Sequence, residues 1–477
     1  MAGMIVKRMG AYLPLLRLRR RAAADALHWS GLGGGHKGYR SVAGWDEDAV
    51  SFAVEAARLA KAPDADPPAL VFASTSAPFL ERSHAGIVVD ALALPRTTRS
   101  VDVANSRRCA VSMLAIALSG SSGEDILIAA GERRPTAPGG ALQLAWGDAG
   151  AAILVGEGPG GARLLGAASL THDFADVYAS REHPTPYASE DRFIRDVAVG
   201  DIMVPAIASA LRAAGVAAAD IAAAVVHEPV SGCYRAIAAQ LGLGAPNNLD
   251  RVVEAAGDLG AAHVLYGLAL ALDEANPGDR LLVVGFGGGC DALVLEVTGA
   301  TPGSDSAARA LAQGQAFDEY VRFLSLSGSL DLDWGARSEV ELKTSASTLH
   351  RHGRDVTGFI GGRDTGGNVQ FPKSPVPVAP GATGGLIDTR LADTPATVVS
   401  FTSDRLAYCP DPPFKFGLVQ FDNGARLPME FCDAPSGGIQ VGEALVMRFR
   451  VKALDRKRGF RTYFWKAAPH QRPMLEI

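Results

Sequence analysis

The sequence predicts an α/β fold over about the first 300 residues, followed by a small all-β barrel. Two observations carry this prediction. Short apolar runs alternate with long alanine-rich helical stretches up to about residue 300, and alternating β runs with frequent turn signals follow residue 355. The 477 residues, 48% hydrophobic and 20% charged, are enough for two or three domains with a large core.

In the first region the apolar runs are continuous, as is typical of strands that are buried on both faces of a sheet. Helices are predicted between them, for example over residues 46–62 and 206–214. This succession indicates βαβ units with helices on both faces of a sheet. The predicted strands span residues 69–73, 126–130, 151–155, 223–226 and 281–285.

Residues 300–306 read Ala-Thr-Pro-Gly-Ser-Asp-Ser and predict a flexible break, which is the best domain boundary. Helix and connector are expected over residues 307–350, with an amphipathic stretch at 317–326. The β runs beyond this connector predict a small antiparallel barrel. They span residues 396–402, 416–421 and 444–451.

Composition and charge exclude several classes of protein. A net charge of −5 argues against nucleic-acid binding by the protein as a whole. Residues 1–21 are basic but lack a continuous apolar core and a cleavage site, and no charge-free apolar stretch of about 18 residues occurs, so we expect neither a signal peptide nor a membrane span. The arginines of residues 17–21 are expected to form the solvated face of a first helix, with contact to a nucleotide phosphate as the alternative.

Cysteine usage indicates a reduced, cytoplasmic protein. The cysteines are odd in number and widely spaced, with no CxxC pair, which gives no support for a disulfide framework or a cysteine zinc site. They are Cys109, Cys233, Cys290, Cys409 and Cys432.

Cys109 is the first candidate for chemistry. It precedes the apolar run 110–118, so a buried helix is predicted to begin there. The positive end of the helix dipole and the neighbouring Arg107 and Arg108 would favour the nucleophilic thiolate. Taken alone, a free cysteine is more often a small core hydrophobe.

Three further segments change that interpretation. Residues 146–152 form a glycine–aspartate turn before a strand, residues 225–229 end a strand in His227, and a pair of glycine turns follows at 257–262 and 285–289. With the segment 102–118 around Cys109, their order and spacing resemble the ketoacyl-ACP synthase III and hydroxymethylglutaryl-CoA synthase branch of the thiolase-like superfamily.

The resemblance implies a duplicated five-layer αβαβα fold and a homodimer. Its first half would span residues 1–165 and its second half residues 166–300. A linker and helical connector would follow at 301–354, and a second domain at 355–477.

The resemblance also implies roles for individual residues. Cys109 would receive an acyl group from CoA or a carrier-protein pantetheine. His227 would act as general acid–base or as a hydrogen-bond donor to the second substrate, and Asp258 would be the third polar residue of the catalytic set. The N–H groups of Cys109 and Gly288 would hold the oxyanion. Substrate-binding positions would be Thr75, Gly287 and Gly289.

Several positions depart from the family pattern. Asp258 stands where the family usually has Asn, so its carboxylate either orients His227 as a base or is protonated by burial. Thr75 stands where hydroxymethylglutaryl-CoA synthases carry a glutamate, which is more like the ketoacyl synthase branch. The stretch from Asp102 to Cys109 is about two residues longer than in either relative. His263 is expected to be a packed or partly solvated histidine.

Cys233 and Cys290 are expected to be inert core thiols.

The region 355–470 resembles the acyl-CoA-associated OB-fold domains that accompany thiolase-like enzymes. The matching text is at 367–372, 404–408, 412–414 and 458–466. In those relatives a zinc ribbon brackets the first of these segments. The corresponding positions read Arg363, Gly366, Pro377 and Gly381, none of which binds zinc, so we expect no metal and a ribbon held by packing alone.

The functional prediction is a thiolase-like acyltransferase that forms or cleaves a carbon–carbon bond, with a CoA thioester as substrate and no tightly bound cofactor. Two alternatives remain. One is thiolytic or retro-aldol cleavage of a degradation-pathway acyl-CoA. The other is a catalytically silent scaffold that binds a partner thiolase or hydratase. The barrel, with Phe414 and Phe416, would either cover the acyl-CoA tunnel or serve as a stabilising docking domain.

Overall fold

The computed structural model describes residues 3–32, 37–63, 65–339, 345–435 and 437–475. Its first part alternates strands and helices as predicted. The elements are β1 (Ile5–Tyr12), β2 (Leu16–Arg19), α1 (Arg20–Ala26), β3 (Tyr39–Val42), α2 (Ala49–Ala60), β4 (Ala69–Ala73), α3 (His84–Ala91), β5 (Arg99–Val103), α4 (Cys109–Ser119), β6 (Ile126–Glu132), α5 (Ala141–Ala145) and β7 (Ala149–Gly156).

The second part repeats this alternation up to residue 297. The five predicted strands are all present, and none differs from its predicted bounds by more than two residues at either end. The elements are β8 (Ala162–Thr171), β9 (Val177–Tyr178), β10 (Tyr187–Ala188), α6 (Asp191–Val197), α7 (Val204–Ala214), β11 (Ala223–Val226), α8 (Cys233–Leu241), α9 (Leu249–Ala255), α10 (His263–Glu274), β12 (Arg280–Phe286) and β13 (Gly289–Val297).

The main sheet is built from two halves with the same topology. Its strand order is β11-β12-β13-β8-β1-β7-β6-β4-β5. From the β5 edge inward, successive pairs are parallel, parallel, antiparallel and antiparallel. The other half shows the same succession, with Asn247 bridging β11 in the place of a fifth strand. The halves join where β1 pairs with β8 at Ile5 and Val6.

Helices cover both halves and fill the space between them. Helices α4 and α10 contact strands of both halves and form the centre. Helix α2 packs outside the first half, and α7 packs outside the second. The layers therefore run helix, sheet, helix, sheet, helix, and Cys109 opens one of the two central helices.

The predicted solvated helix face of the N-terminal arginines is confirmed for Arg21, which is exposed in α1, and is wrong for Arg17 and Arg20. Arg17 lies in β2 with no exposed surface, and Arg20 is 5% exposed. The Arg17 guanidinium donates hydrogen bonds to backbone carbonyls of Pro14, Ala310 and Gln313. Buried backbone carbonyls need donors, and this arginine supplies them.

The segment after residue 300 is packed, not a flexible break. Ser306 is buried and its hydroxyl accepts a hydrogen bond from the Ala11 N–H at 2.9 Å, while Met9 N–H donates to the Pro302 carbonyl at 3.0 Å. A short strand of the connector, β14 (Gln315–Phe317), pairs with β2, so the connector is part of the preceding α/β region. Its elements are α11 (Asp305–Ala312), β14 (Gln315–Phe317), α12 (Tyr320–Leu326) and α13 (Ala346–Thr357).

The C-terminal region is mostly β, as predicted. A three-stranded sheet of order β16-β15-β17 precedes a larger sheet of order β19-β20-β18-β22-β23, in which β21 pairs with β20. Phe431, next to β21, bridges Ala467 of β23 in the parallel direction, so the strands form a closed circuit. The strands are β15 (Ile360–Arg363), β16 (Val369–Gln370), β17 (Ile387–Arg390), β18 (Ala396–Val398), β19 (Thr402–Asp404), β20 (Phe414–Phe421), β21 (Arg426–Glu430), β22 (Ala444–Asp455) and β23 (Phe460–Pro469).

Buried ion pairs fasten this C-terminal region to the start of α2. Arg450 is fully buried and its Nη2 lies 3.0 Å from carboxylate oxygens of both Glu47 and Asp433. Lys466 lies 2.9 Å from Asp46 and 3.0 Å from Glu430. Because these charges are out of water and paired across the junction, the two regions are held in one fixed arrangement.

Hydrogen bonds, and not packing alone, hold the small sheet of β15, β16 and β17. The Asp364 carboxylate accepts from the N–H groups of Gly366 and Asn368, both at 2.9 Å, and closes the first turn. The Gln370 side chain ties the second loop by donating to Ser374 Oγ and accepting from the Val378 N–H. Side-chain hydrogen bonds therefore close both turns, so the expectation that packing alone holds this sheet is wrong.

One continuous helical stretch, Asp191–Ala214, is long and apolar enough to cross a membrane by length and composition. It includes a π-helical turn at Ala198–Met203. Its buried side chains, among them Ile202, Met203 and Ile207, belong to the core cluster on the outer face of the second half. This packing is that of a core helix in a globular fold.

Candidate active site

Segments that lie far apart in the sequence meet at the first turn of α4. A Cβ on Gly285, in β12, would come within 2.9 Å of the Val111 side chain, so only glycine allows this approach. Ser106 Oγ donates to the Gly287 carbonyl at 2.8 Å. The turn Gly260–Ala262, which follows Asp258, also contacts α4. Cys109 therefore lies where the two halves of the fold converge.

Cys109 is the first residue of α4, as predicted, and is 5% exposed. Burial, reinforced by the Glu132 carboxylate, raises the pKa of the thiol to about 12, although backbone N–H groups of Ala110 and Ser74 oppose this shift. The prediction of a stabilised thiolate is therefore wrong, and Cys109 rests as a thiol. Its own N–H donates to the Ser106 carbonyl at 3.0 Å and so is engaged before any oxyanion forms.

The two arginines beside Cys109 do not act on it as free cations. Arg107 forms a buried ion pair with Asp176. Arg108 Nη1 lies 2.9 Å from Asp291, and its Nε donates to the Gly287 carbonyl at 2.9 Å. Each positive charge is neutralised by a carboxylate, and this explains why the sequence-based argument about the thiol failed.

His227 directly follows β11 and is 2% exposed. Its Nδ1 lies 3.2 Å from the carbonyl oxygen of Phe286, and its Nε2 lies 3.2 Å from Asp258 Oδ2. A carbonyl oxygen and a carboxylate are both hydrogen-bond acceptors, so these two contacts fix the orientation of the His227 ring between β12 and Asp258.

Asp258 joins His227 to Arg134. Burial alone would raise the pKa of the Asp258 carboxyl, but Arg134 and then His227 hold it well below its usual range. Arg134 Nη2 lies 3.1 Å from Asp258 Oδ1 and donates to the Asp258 carbonyl at 2.6 Å. Of the two alternatives for Asp258, protonation by burial is therefore wrong, and the ionised carboxylate lies where it orients the His227 ring.

Glu132 is a site residue that the sequence analysis missed. It ends β6, is fully buried, and accepts five hydrogen bonds. The donors are Ser74 Oγ, Thr75 N–H, Thr75 Oγ1, Ser76 Oγ and the Ala261 N–H. The signal that could have found it was a glutamate two residues after the apolar predicted strand 126–130, because an acidic side chain so close to a buried strand needs partners when the strand extends to it.

The glycine loop between β12 and β13 occupies the left-handed region of backbone space. The φ angles are +157° at Gly287, +58° at Gly288 and +120° at Gly289. A Cβ on Gly287 would lie 2.8 Å from Ser106 Oγ, and one on Gly289 would lie 2.3 Å from the Leu170 carbonyl oxygen. Gly288 is exposed with open space around it. The loop thus offers an accessible backbone next to the start of α4.

The remaining predicted residues lie at varying distances from this centre. Thr75 is exposed, and its hydroxyl donates to Glu132 Oε2 at 2.7 Å. His263 is buried edge-on to His227 with ring centroids 5.6 Å apart. Burial lowers the pKa of His263 to about 3, so this ring is neutral. Cys233 and Cys290 are fully buried, as expected of inert thiols, and burial raises the pKa of both.

No group of three or more metal-binding side chains occurs among the described residues. The predicted ribbon positions Arg363, Gly366, Pro377 and Gly381 offer no zinc ligand, and the turns they belong to are already closed by hydrogen bonds.

Comparison with known proteins gives this site its context. Residues 211–297 match the family described as 3-oxoacyl-(acyl-carrier-protein) synthase III C terminal. The hydroxymethylglutaryl-CoA synthase of Archaeoglobus fulgidus is 31% identical over 307 residues, which cover 61% of this chain and 88% of that protein. The chain belongs to the thiolase-like family of ketoacyl-ACP synthase III and hydroxymethylglutaryl-CoA synthase. It is accordingly a condensing acyltransferase of the thiolase superfamily.

A second member of this family, the hydroxymethylglutaryl-CoA synthase of Pyrobaculum neutrophilum, is 29% identical over 348 residues, or 68% of this chain and 97% of that protein. Among solved structures, an HMG-CoA synthase complexed with CoA has 16% identity and a TM-score of 0.59, covering 72% of this chain and 95% of its own. A curacin-pathway HMG synthase in complex with apo donor-ACP has 19% identity and a TM-score of 0.55, and the match covers 69% of this chain and 89% of that chain. These likenesses show that the thiolase-like α/β fold extends over about 70% of the chain.

Proposed function

We propose that this condensing enzyme makes or breaks a carbon–carbon bond through an acyl thioester on Cys109, with CoA or a carrier-protein pantetheine as the acyl carrier. One observation carries the proposal. The fold gathers Cys109, His227, Asp258 and the loop 287–289 at one junction of its two halves, in a chain that belongs to a condensing family.

Acyl transfer begins from the neutral thiol. The Cys109 sulfur attacks the thioester carbonyl, the bond between that carbonyl and the CoA sulfur breaks, and the thiol proton ends on the departing CoA sulfur. The Ala110 N–H, which faces the Cys109 sulfur, stabilises negative charge as it develops there, whereas the Ser74 N–H also donates to the Val103 carbonyl at 3.1 Å. His227 donates a hydrogen bond to the oxygen of the bound substrate when that oxygen replaces one of the two present partners of its ring, Asp258 or the Phe286 carbonyl.

The carbanion of the second substrate does not arise by deprotonation at Glu132. A carboxylate offers about four lone-pair positions, and Glu132 already accepts five hydrogen bonds. Thr75, which stands where the resemblance places a glutamate in hydroxymethylglutaryl-CoA synthases, has no basic group. The course of the reaction is therefore closer to that of the ketoacyl synthases than to one with a carboxylate base.

The contact of His227 with the Asp258 carboxylate favours carbon–carbon cleavage as a second candidate, because a ring held in this way can take a proton from the thiol and pass it on. In that direction the Cys109 sulfur bonds to a ketone carbon of a β-ketoacyl thioester, and the bond from this carbon to the α-carbon breaks. The thiol proton passes to the His227 ring as the carbon–sulfur bond forms, and the electron pair left on the α-carbon then takes that proton from the ring. Proton and electron counts balance without a further reactant.

Mass-tagged acyl-CoAs test the proposal. The protein is incubated with acetyl-CoA and a panel of longer acyl-CoAs, and peptides are examined for an acyl adduct and the medium for an equal amount of free CoA. We expect the adduct on Cys109 and none in Cys109→Ala. Cys233→Ala, which removes another buried thiol, serves as the matched control and keeps the adduct. If no acyl-CoA of the panel modifies Cys109, the silent scaffold is the better account.

We also propose a homodimer in which two copies of β5 pair. This strand is the edge of the main sheet, and four of its five residues are exposed. The Arg99 N–H bonds inward to Pro68, and backbone groups alternate along a strand, so the Ser100 N–H points away from the sheet. An exposed edge of this kind is a template for pairing with another chain.

For the C-terminal region we propose an OB-fold barrel preceded by a zinc ribbon that has lost its metal. The closed circuit through Phe431 and Ala467 supports a barrel of this type. Arg82 stacks between Phe79 and Phe460, so the β22–β23 hairpin rests on the loop that follows Ser74 to Ser76. The barrel therefore buttresses the segment that surrounds Glu132.

A further inference from the structure

Arg134 is buried with much of its hydrogen-bonding capacity unused. The residue is 6% exposed. Its Nη2 is engaged by Asp258, whereas Nε and Nη1 have no partner. In the described part of the chain no other buried side chain leaves two nitrogens unpaired. A guanidinium has five N–H donors, so three of them are free here.

The free donors lie within the candidate active site. Arg134 stacks on the Trp146 ring with its Cζ 3.7 Å from the centroid, which fixes the plane of the guanidinium. Asp258 Oδ1 lies 3.1 Å from Arg134, and the other oxygen of the same carboxylate lies 3.2 Å from His227. Arg134 is thus separated from the His227 ring by a single carboxylate.

The charged groups around Arg134 leave two of its nitrogens, Nε and Nη1, without a partner. The Asp258 carboxylate is shared between Arg134 and His227. Glu132 also acts on Arg134, but it accepts hydrogen bonds from five neutral donors. Arg107, another charge that acts on Arg134, is neutralised by Asp176. Carboxylates are the partners that best match a buried guanidinium.

From this geometry we infer that Arg134 binds a carboxylate carried by the acyl group of the substrate. The substrate class is an acyl thioester with a second carboxyl group at the far end of its chain, which stays intact through the reaction. This inference rests on the proposed function, since it deepens the description of the same site. Attack by the Cys109 sulfur forms one carbon–sulfur bond and breaks the one to CoA, and the distal carboxylate is a spectator held by Arg134.

A binding measurement tests this inference apart from chemistry. Cys109→Ala protein is titrated in a calorimeter with pairs of thioesters of equal chain length, namely succinyl- with butyryl-CoA, glutaryl- with pentanoyl-CoA, and adipyl- with hexanoyl-CoA. The readout is the ratio of the two affinities within a pair, because a general loss of binding cancels in it. We expect a ratio on the order of 10 to 100 in favour of the diacid for at least one length.

The ratio should fall to about one when Arg134→Met is added. Arg40→Met is the matched control, since Arg40 is also buried and stacked on an aromatic ring, Phe323, and should leave the ratio unchanged. Ratios near one at all three lengths, or a preference that survives Arg134→Met, would overturn the inference and leave water as the partner of Arg134. Failure of the proposed function looks different, because Cys109 of the unaltered protein would then stay unacylated even by a thioester that binds.

Discussion

Replacing Glu132 with glutamine should make Cys109 more reactive. The Glu132 carboxylate is the largest electrostatic contribution, after burial, to the raised pKa of the thiol. Glutamine keeps a carbonyl oxygen that can accept from Ser74 and Thr75, but removes the negative charge. Because a nearby negative charge disfavours the thiolate, its removal should lower the pKa of Cys109.

The size of the effect follows from the ionisation of the thiol. With a pKa of about 12, roughly one Cys109 in 10⁴ is ionised at pH 8, whereas about a quarter of ordinary cysteines are. At an effective dielectric constant of about 20, two charges 4 to 8 Å apart interact by about 2 to 4 kcal/mol, of which screening and relaxation leave on the order of 1 to 2 pKa units. A thiolate of lower pKa is also a weaker nucleophile, so we expect alkylation to speed up roughly 3- to 10-fold.

The rate of Cys109 alkylation is measured with iodoacetamide from pH 7 to pH 10. Peptide mass spectrometry follows the alkylated Cys109 peptide. In the unaltered protein the rate should still rise about tenfold per pH unit at pH 10, since the pKa of about 12 lies above that range. Glu296→Gln, at a surface pair with Arg163, is the control and should not change the rate. Two results would refute the reasoning: a Cys109 rate that levels off near pH 8, or a folded Glu132→Gln protein whose Cys109 rate is unchanged.

Two further predictions concern the junction and the sheet edge. Arg450→Met should destabilise the protein by about 3 to 5 kcal/mol, because it strands the buried carboxylates of Glu47 and Asp433. Arg309→Met, at an exposed helical pair, should cost at most about 1 kcal/mol, and thermal unfolding of the two variants compares them. Equal shifts of the unfolding temperature in the two variants would contradict this account. Ser100→Pro should shift the mass measured by analytical ultracentrifugation from dimer to monomer, whereas Ser100→Ala should not; a dimer that persists in Ser100→Pro would exclude pairing through β5.

Much of the fold could be predicted from the sequence because its signals are local. The strands at 69–73 and 223–226 are short continuous apolar runs, and their bounds in the structure are the predicted ones. The positions of flexible linkers and the burial of charged side chains were less predictable. Residues 300–306 look like a linker, but buried hydroxyls such as that of Ser306 satisfy backbone groups of β1. Arg17 looks solvated in sequence, yet it binds carbonyls that lie almost 300 residues away.

The site was predictable in position but not in charge state. A cysteine at a helix start and a histidine at a strand end are visible in the sequence, and both are found there. The charge state of Cys109 depends on partners distant in sequence, because Asp176 and Asp291 neutralise the adjacent arginines while Glu132 acts on the sulfur. No local pattern reveals which carboxylate a buried arginine will meet.

The aspartate at position 258 is best understood together with Arg134. An amide at this position would leave the buried guanidinium with no charged partner, and a carboxylate without Arg134 would have only His227 to balance it. Each of the two residues therefore makes the other tolerable in a buried site. Their combined effect is a fixed carboxylate that contacts both Arg134 and His227, with unpaired guanidinium nitrogens beside it. Substrate charge, more than substrate length, should therefore decide which acyl thioesters this enzyme prefers.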